Sequence, residues 1–156
     1  MMKEVTINKQ ARLSEHFTLA ELCKTSAKTQ DGNIPSHVHI ENLKRLCGWL
    51  EQLRRRWNNL YGEGDDPIII NSGFRSPEVN KAVGGATSSN HLTGCAVDIR
   101  CIGIEQALRY AVILLDISDM NSEDFDELLI EQKGHSYWIH FAVKPSCNRR
   151  RTNFIR

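Results

Sequence analysis

Phe125-Asp126-Glu127-Leu128-Leu129-Ile130-Glu131-Gln132-Lys133-Gly134-His135-Ser136-Tyr137-Trp138-Ile139-His140-Phe141-Ala142-Val143 is the stretch on which the architecture turns. Two runs, Phe125 to Gln132 and the aromatic- and β-branched-rich Tyr137 to Val143, flank Lys133-Gly134-His135-Ser136, a pattern that predicts a β-hairpin. In the second run Trp138, His140 and Ala142 alternate with Ile139, Phe141 and Val143, so His140 faces away from Ile139 and Phe141. In the first run Leu129 and Glu131 share a face.

Upstream of the hairpin, Ile104 to about Ile117 reads as a helix with Ile104, Leu108, Ala111, Val112 and Leu115 inward. Cys95 to Arg100 reads as a strand in which Ala96 and Asp98 share one face. Residues 86–94 form a polar loop ending at Gly94. Before it, Ser76-Pro77-Glu78 opens a short helix that Gly84-Gly85 stops, with Ser76 at the cap and Pro77 at the first helical position. Pro67-Ile68-Ile69-Ile70-Asn71-Ser72 is a β-branched strand. A long helix is expected from about Pro35 to about Trp57, because Ile40, Leu43, Leu46, Cys47, Leu50, Leu53 and Trp57 recur at helical spacing. Phe17-Thr18-Leu19-Ala20-Glu21-Leu22 carries a capping box, Thr18 with Glu21, and a hydrophobic staple, Phe17 with Leu22. This order of elements predicts an α+β fold, with helices packed on a small, mainly antiparallel sheet.

The chain has 156 residues, enough for one domain with a substantial core. That core is expected over about 13–145, followed by a basic tail, 146–156, in which Arg149-Arg150-Arg151 is solvated. A formal net charge of +1 gives no argument for nucleic acid or membrane partners. No window has the apolar length of a membrane-spanning helix, and Met1 to Thr6 lacks an apolar leader core. The expectation is a chain made in the cytoplasm, monomeric, and needing another agent for export. The five cysteines, Cys23, Cys47, Cys95, Cys101 and Cys147, show no CxxC pair, which argues against a disulfide framework or a structural cysteine–zinc site. Cys95 and Cys101 are expected to be small buried residues.

Ser89-Asn90-His91-Leu92-Thr93-Gly94-Cys95-Ala96-Val97-Asp98 and the distant Trp138-Ile139-His140 bring chemistry into this frame. Gly94 lets the chain turn and return, so His91 and Asp98 can aim at one point, and His140 can complete the set. Two imidazoles and a carboxylate with an open fourth position suit a catalytic Zn²⁺, whereas a structural zinc closes with four ligands. On residue types alone, three unrelated polar side chains are the other reading.

Ser89-x-His91-x-x-Gly94-x-Ala96-x-Asp98 with the distal Trp138-Ile139-His140 resembles the zinc D-alanyl-D-alanine carboxypeptidases and related bacteriophage endolysins of peptidase family M15. Phe17 to Leu22 resembles the N-terminal signature of its short, single-domain subgroup, and Ser72-Gly73-Phe74-Arg75-Ser76-Pro77 its Gly-Tyr/Phe-Arg-Ser segment. The likeness runs from about Phe17 to Val143 in the family's order. It implies a Hedgehog/DD-peptidase-like fold, zinc bound by His91, Asp98 and His140, and hydrolysis of a peptide bond in peptidoglycan stem peptides at the cell wall. A carboxypeptidase and an endopeptidase are both compatible with it, and the small size suits a phage or prophage lysis enzyme.

The family's base is an acidic residue shortly before the last histidine. Here Gly134 to Ile139 contains none, and the nearest acid is Glu131, which the hairpin can fold back beside His140. Glu131 is therefore either the base or a solvated strand-edge carboxylate. His135 is either a second catalytic group, protonating the leaving amine or steadying the oxyanion, or an exposed turn residue. Arg75 is expected to hold a peptide carboxylate through its guanidinium fork. Ser89 contacts substrate, orients the metal loop or simply shapes a turn. A non-catalytic wall-binding or interaction module, or a phage structural protein with hydrolase activity, is the alternative from another class.

Overall fold

The computed structural model describes residues 7–156; the expectation about Met1 to Thr6 lies outside the described residues. Among these residues no helix is long and apolar enough to cross a membrane. A short helix α1 (Leu19–Leu22) begins at Thr18, whose side chain accepts from the Glu21 backbone while Glu21 reaches back to Thr18. The long helix α2 (His37–Leu60) starts from Ser36 as cap and runs a turn beyond Trp57. Strand β1 (Ile70–Ser72) is shorter than the apolar run predicts; before it, the Ile69 carbonyl still accepts from the Arg100 N–H at 2.9 Å. Helix α3 (Pro77–Ala82) is capped by Ser76 as expected. A single 3₁₀ turn (Asn90–Thr93) then leads into β2 (Ala96–Cys101) and helix α4 (Gly103–Asn121). The hairpin β3 (Glu127–Lys133) and β4 (Ser136–Ala142) follows, and β5 (Arg151–Ile155) ends the chain.

The fold is α+β. Five strands form one sheet in the order β1-β2-β4-β3-β5, antiparallel except for the β3–β5 edge, which is parallel. Residues directly opposite one another share a face. Val97, Ile99, Phe141, Ile139 and Leu128 therefore point to the helices, where all are buried. The aromatic seam under α2 and α4 joins Trp49 to Phe141 (ring centroids 5.2 Å apart) and Trp57 to Tyr110 (5.0 Å, edge to face). Each such buried apolar side chain contributes about 1.5–3 kcal/mol relative to exposure.

Two expectations need correction. Helix α4 is rotated from the expected stripe: Ala111 is buried and Leu115 packs against the core as expected, but Ala107, Tyr110, Leu114 and Ile117 are the other buried residues, while Ile104, Leu108 (51%) and Val112 (55%) are exposed. The helix is apolar on more than one side, and docking Tyr110 on Trp57 selects the stripe that covers β4. The C-terminal segment keeps its arginines exposed, as expected, but its backbone joins the sheet instead of running free as a tail. Arg151 to Ile155 pairs along β3, from Glu127↔Arg151 to Glu131↔Ile155. Three arginines lead the strand to acidic partners: Arg149 pairs with Asp126, Arg150 with Asp119 and Asp124, and Arg151 with Glu127.

Candidate metal centre

The sheet face away from the helices carries the polar residues. Asp98 on β2, His140 on β4 and Leu129 on β3 stand in one row, with Glu131 and Trp138 paired in the next. His91 descends onto this row from the 3₁₀ turn. The turn closes at Gly94, whose φ of 75° is left-handed and where a Cβ would lie 2.6 Å from the His39 carbonyl oxygen. Only glycine combines that backbone with that approach. Gly73 is equally confined, since a Cβ there would lie 1.9 Å from the Leu22 carbonyl oxygen. Its own carbonyl accepts a 2.7 Å hydrogen bond from His91 Nδ1, which leaves His91 Nε2 with its lone pair facing Asp98.

His91 Nε2 lies 3.3 Å and His140 Nδ1 3.2 Å from the same Asp98 oxygen, Oδ1, and one donor atom from each residue falls within 4.8 Å of the others. Donors bound at 2.0–2.1 Å to one tetrahedral ion stand about 3.3 Å apart, so the spacing and the N, N, O chemistry both fit zinc. The other Asp98 oxygen accepts from Arg75 Nη2 at 3.3 Å, and Arg75 Nε donates to Ser72 Oγ at 3.2 Å. The centre opens on a cavity of about 500 Å³ lined by Arg75, Ser89, Glu131 and Arg151 among others.

Charge is concentrated here. Burial pushes the Asp98 carboxyl upward, but the two imidazoles beside it, His140 and His91, prevail and hold it well below the usual carboxylate range. Burial likewise opposes charge on His140, yet Asp98 at one nitrogen and Glu127 at the other push it up to about 9. The hydrogen bond from His140, against the opposing effect of burial, holds Glu127 at about 2. Without metal, His140 therefore carries its proton at neutral pH. Its folded value of about 9 exceeds its ordinary 6.5, so this stabilisation is complete below 6.5 and is lost as pH rises through about 9. The metal-free protein should lose at most about 3 kcal/mol of unfolding free energy across that window, read by urea melts in chelator. A flat profile from pH 6.5 to 9.5 would contradict the arrangement.

The structure brings His91, Asp98, His140, Arg75, Ser89 and Glu131 to one cavity. Ser89 caps the 3₁₀ turn by accepting from the His91 backbone at 3.2 Å, which fixes the histidine's entry. Glu131 sits on the His140 face, and its side-chain partner among the described residues is the Trp138 indole N–H. His135 is not brought in. It occupies the exposed tip of the β3–β4 turn, five residues from His140 and so roughly 15 Å away along the strand. Cys95 and Cys101 are buried, and burial pushes the Cys101 thiol up to about 12, which leaves it no nucleophilic role.

Sequence reasoning missed a second layer. Asn90 donates to both Asp126 and Glu127, at 2.8 and 2.9 Å. Asp126 is fully buried and held by Arg149 through its Nε and Nη2. Glu127 meets His140 Nε2 at 3.1 Å. The tight turn carried a signal for Glu127: with Lys133 opposite Ser136, period-two counting puts Glu127, Leu129 and Glu131 on the face of His140.

The model of the family described as Peptidase M15 matches residues 15–142. An 84-residue segment is 33% identical to the zinc D-Ala-D-Ala carboxypeptidase of Streptomyces albus G. That match covers 54% of this chain but 31% of the relative, so the chain spans about a third of that protein's length. With the family model covering most of the chain, and the His91, Asp98 and His140 constellation assembled as that sequence pattern implies, this protein belongs to the peptidase M15 family.

Proposed function

We propose that this protein is a zinc-dependent peptidase that cleaves a peptide bond in bacterial cell-wall stem peptides, next to D-alanine. The convergence of His91 Nε2, Asp98 Oδ1 and His140 Nδ1 on one point at the wall of a cavity carries this reading. The identity shared with a zinc D-Ala-D-Ala carboxypeptidase supports the substrate class.

Zinc held by these three residues would lower the pKa of bound water and polarise the scissile carbonyl. The chain's own residues supply the rest. Glu131, on the same sheet face and steadied by Trp138, accepts the water's proton and returns it to the leaving amine. Arg75 keeps Asp98 oriented through Nη2 and, as part of the cavity lining, meets a substrate carboxylate. Ser89 fixes the turn that delivers His91 and lines the same cavity.

The decisive experiment is metal analysis of the purified protein, followed by digestion of purified peptidoglycan and mass spectrometry of the fragments. Stoichiometric zinc with release of single D-alanine residues is the result for a carboxypeptidase; separation of cross-linked peptides marks an endopeptidase. Absence of both metal and products would overturn the proposal. Arg75→Ala, assayed at saturating zinc, should lower kcat/KM on peptides with a free terminal carboxylate about 10–100-fold, the size of a lost charge-assisted hydrogen bond. Equal losses on internal bonds would remove Arg75 from carboxylate binding.

A further inference from the structure

Imidazole can bind a metal through either nitrogen, and the choice is set by what the other nitrogen meets. His91 has Nδ1 on the Gly73 carbonyl and presents Nε2; His140 is held the other way round, with Nε2 on Glu127 Oε1 at 3.1 Å and Nδ1 towards Asp98. We infer that Glu127 is a positioning residue that makes His140 bind zinc through Nδ1, and that Arg151 of the C-terminal strand and Asn90 hold Glu127 in that pose. This inference rests on the zinc reading above.

An ionised carboxylate only accepts hydrogen bonds, so Glu127 requires the proton of His140 to reside on Nε2 and leaves the Nδ1 lone pair for metal. Glu127 has little freedom to do otherwise. Oε1 also accepts from Asn90 Nδ2 at 2.9 Å, Oε2 accepts from Arg151 Nη1 at 2.9 Å, and Arg149 Nη2 stands 3.7 Å from the same oxygen. The side chain is 12% exposed. Two cations beside Glu127 offset the cost of a second carboxylate close to Asp98. The parallel β3–β5 pairing, which sets Arg151 opposite Glu127, is what places the first of them.

The test combines two readouts. In the zinc-loaded native protein, long-range ¹H–¹⁵N correlation spectra should show His140 protonated at Nε2 and metal-bound at Nδ1, with His91 the reverse. Zinc dissociation constants, from competition with a chelator, should weaken about 10–100-fold in Glu127→Ala and by less in Arg151→Ala, while Glu127→Gln keeps an acceptor and stays closest to native. Thermal midpoints of the metal-free variants separate a lost packing role from a lost zinc role. Coordination of both histidines through Nε2 would overturn the inference, as would native zinc affinity in both Glu127→Ala and Arg151→Ala. If Glu127→Ala does not fold, the native spectrum with Glu127→Gln and Arg151→Ala decides. His140→Ala is the control for the parent reading: native zinc binding there sinks the metal site itself, whereas zinc lost there but kept in Glu127→Ala sinks only the positioning role.

Discussion

His140→Ala is expected to strip the protein of zinc and of hydrolytic activity while leaving the fold in place. Removing one of three ligands leaves a carboxylate and a single imidazole, too few to hold zinc for catalysis. The metal's contribution to the transition state is several kcal/mol, so peptidoglycan digestion should fall at least about a thousandfold. The fold should survive because neither acidic neighbour is stranded. Asp98 keeps His91 and Arg75, and Glu127 keeps Asn90 and Arg151. Zinc content by atomic absorption, circular dichroism and fragment release measure the three consequences. Stoichiometric zinc or native turnover in this variant would remove His140 from the ligand set.

Glu131→Gln should do the opposite to the metal and the same to the reaction. Glutamine keeps an oxygen for the Trp138 indole, so the side chain stays where it is, and Glu131 is not among the converging donors, so zinc content should be native. What it loses is the ability to take a proton, which costs about 10²–10⁴ in kcat. Glu127 is poorly placed to replace it, because both of its oxygens are committed to His140, Asn90 and Arg151. An active, zinc-replete Glu131→Gln protein would pass the proton-accepting role to another group.

Local pattern made much of this legible in the chain. The caps at Thr18 and Ser76, the helical spacing along α2 and the strand alternation around His140 depend on neighbours within a few residues, and they appear in the structure as read. The α4 stripe was misread because two apolar sides of one helix satisfy the same period, and only the position of Trp57 decides between them. That Arg149 to Arg151, exposed as expected, also lead a strand onto the sheet is invisible in one dimension, since their carboxylate partners Asp126 and Glu127 lie more than twenty residues away.

The sequence by itself determined the first four strands, the helices and the α+β class, because hydrophobic period, caps and turn residues act over short range, and its motif likeness to the family pointed to the three converging side chains. Tertiary structure alone decided which nitrogen each histidine offers, which carboxylate braces His140, and that the chain's end becomes the fifth strand. Those features depend on distances between residues far apart in the chain, and such distances exist only once the sheet has closed.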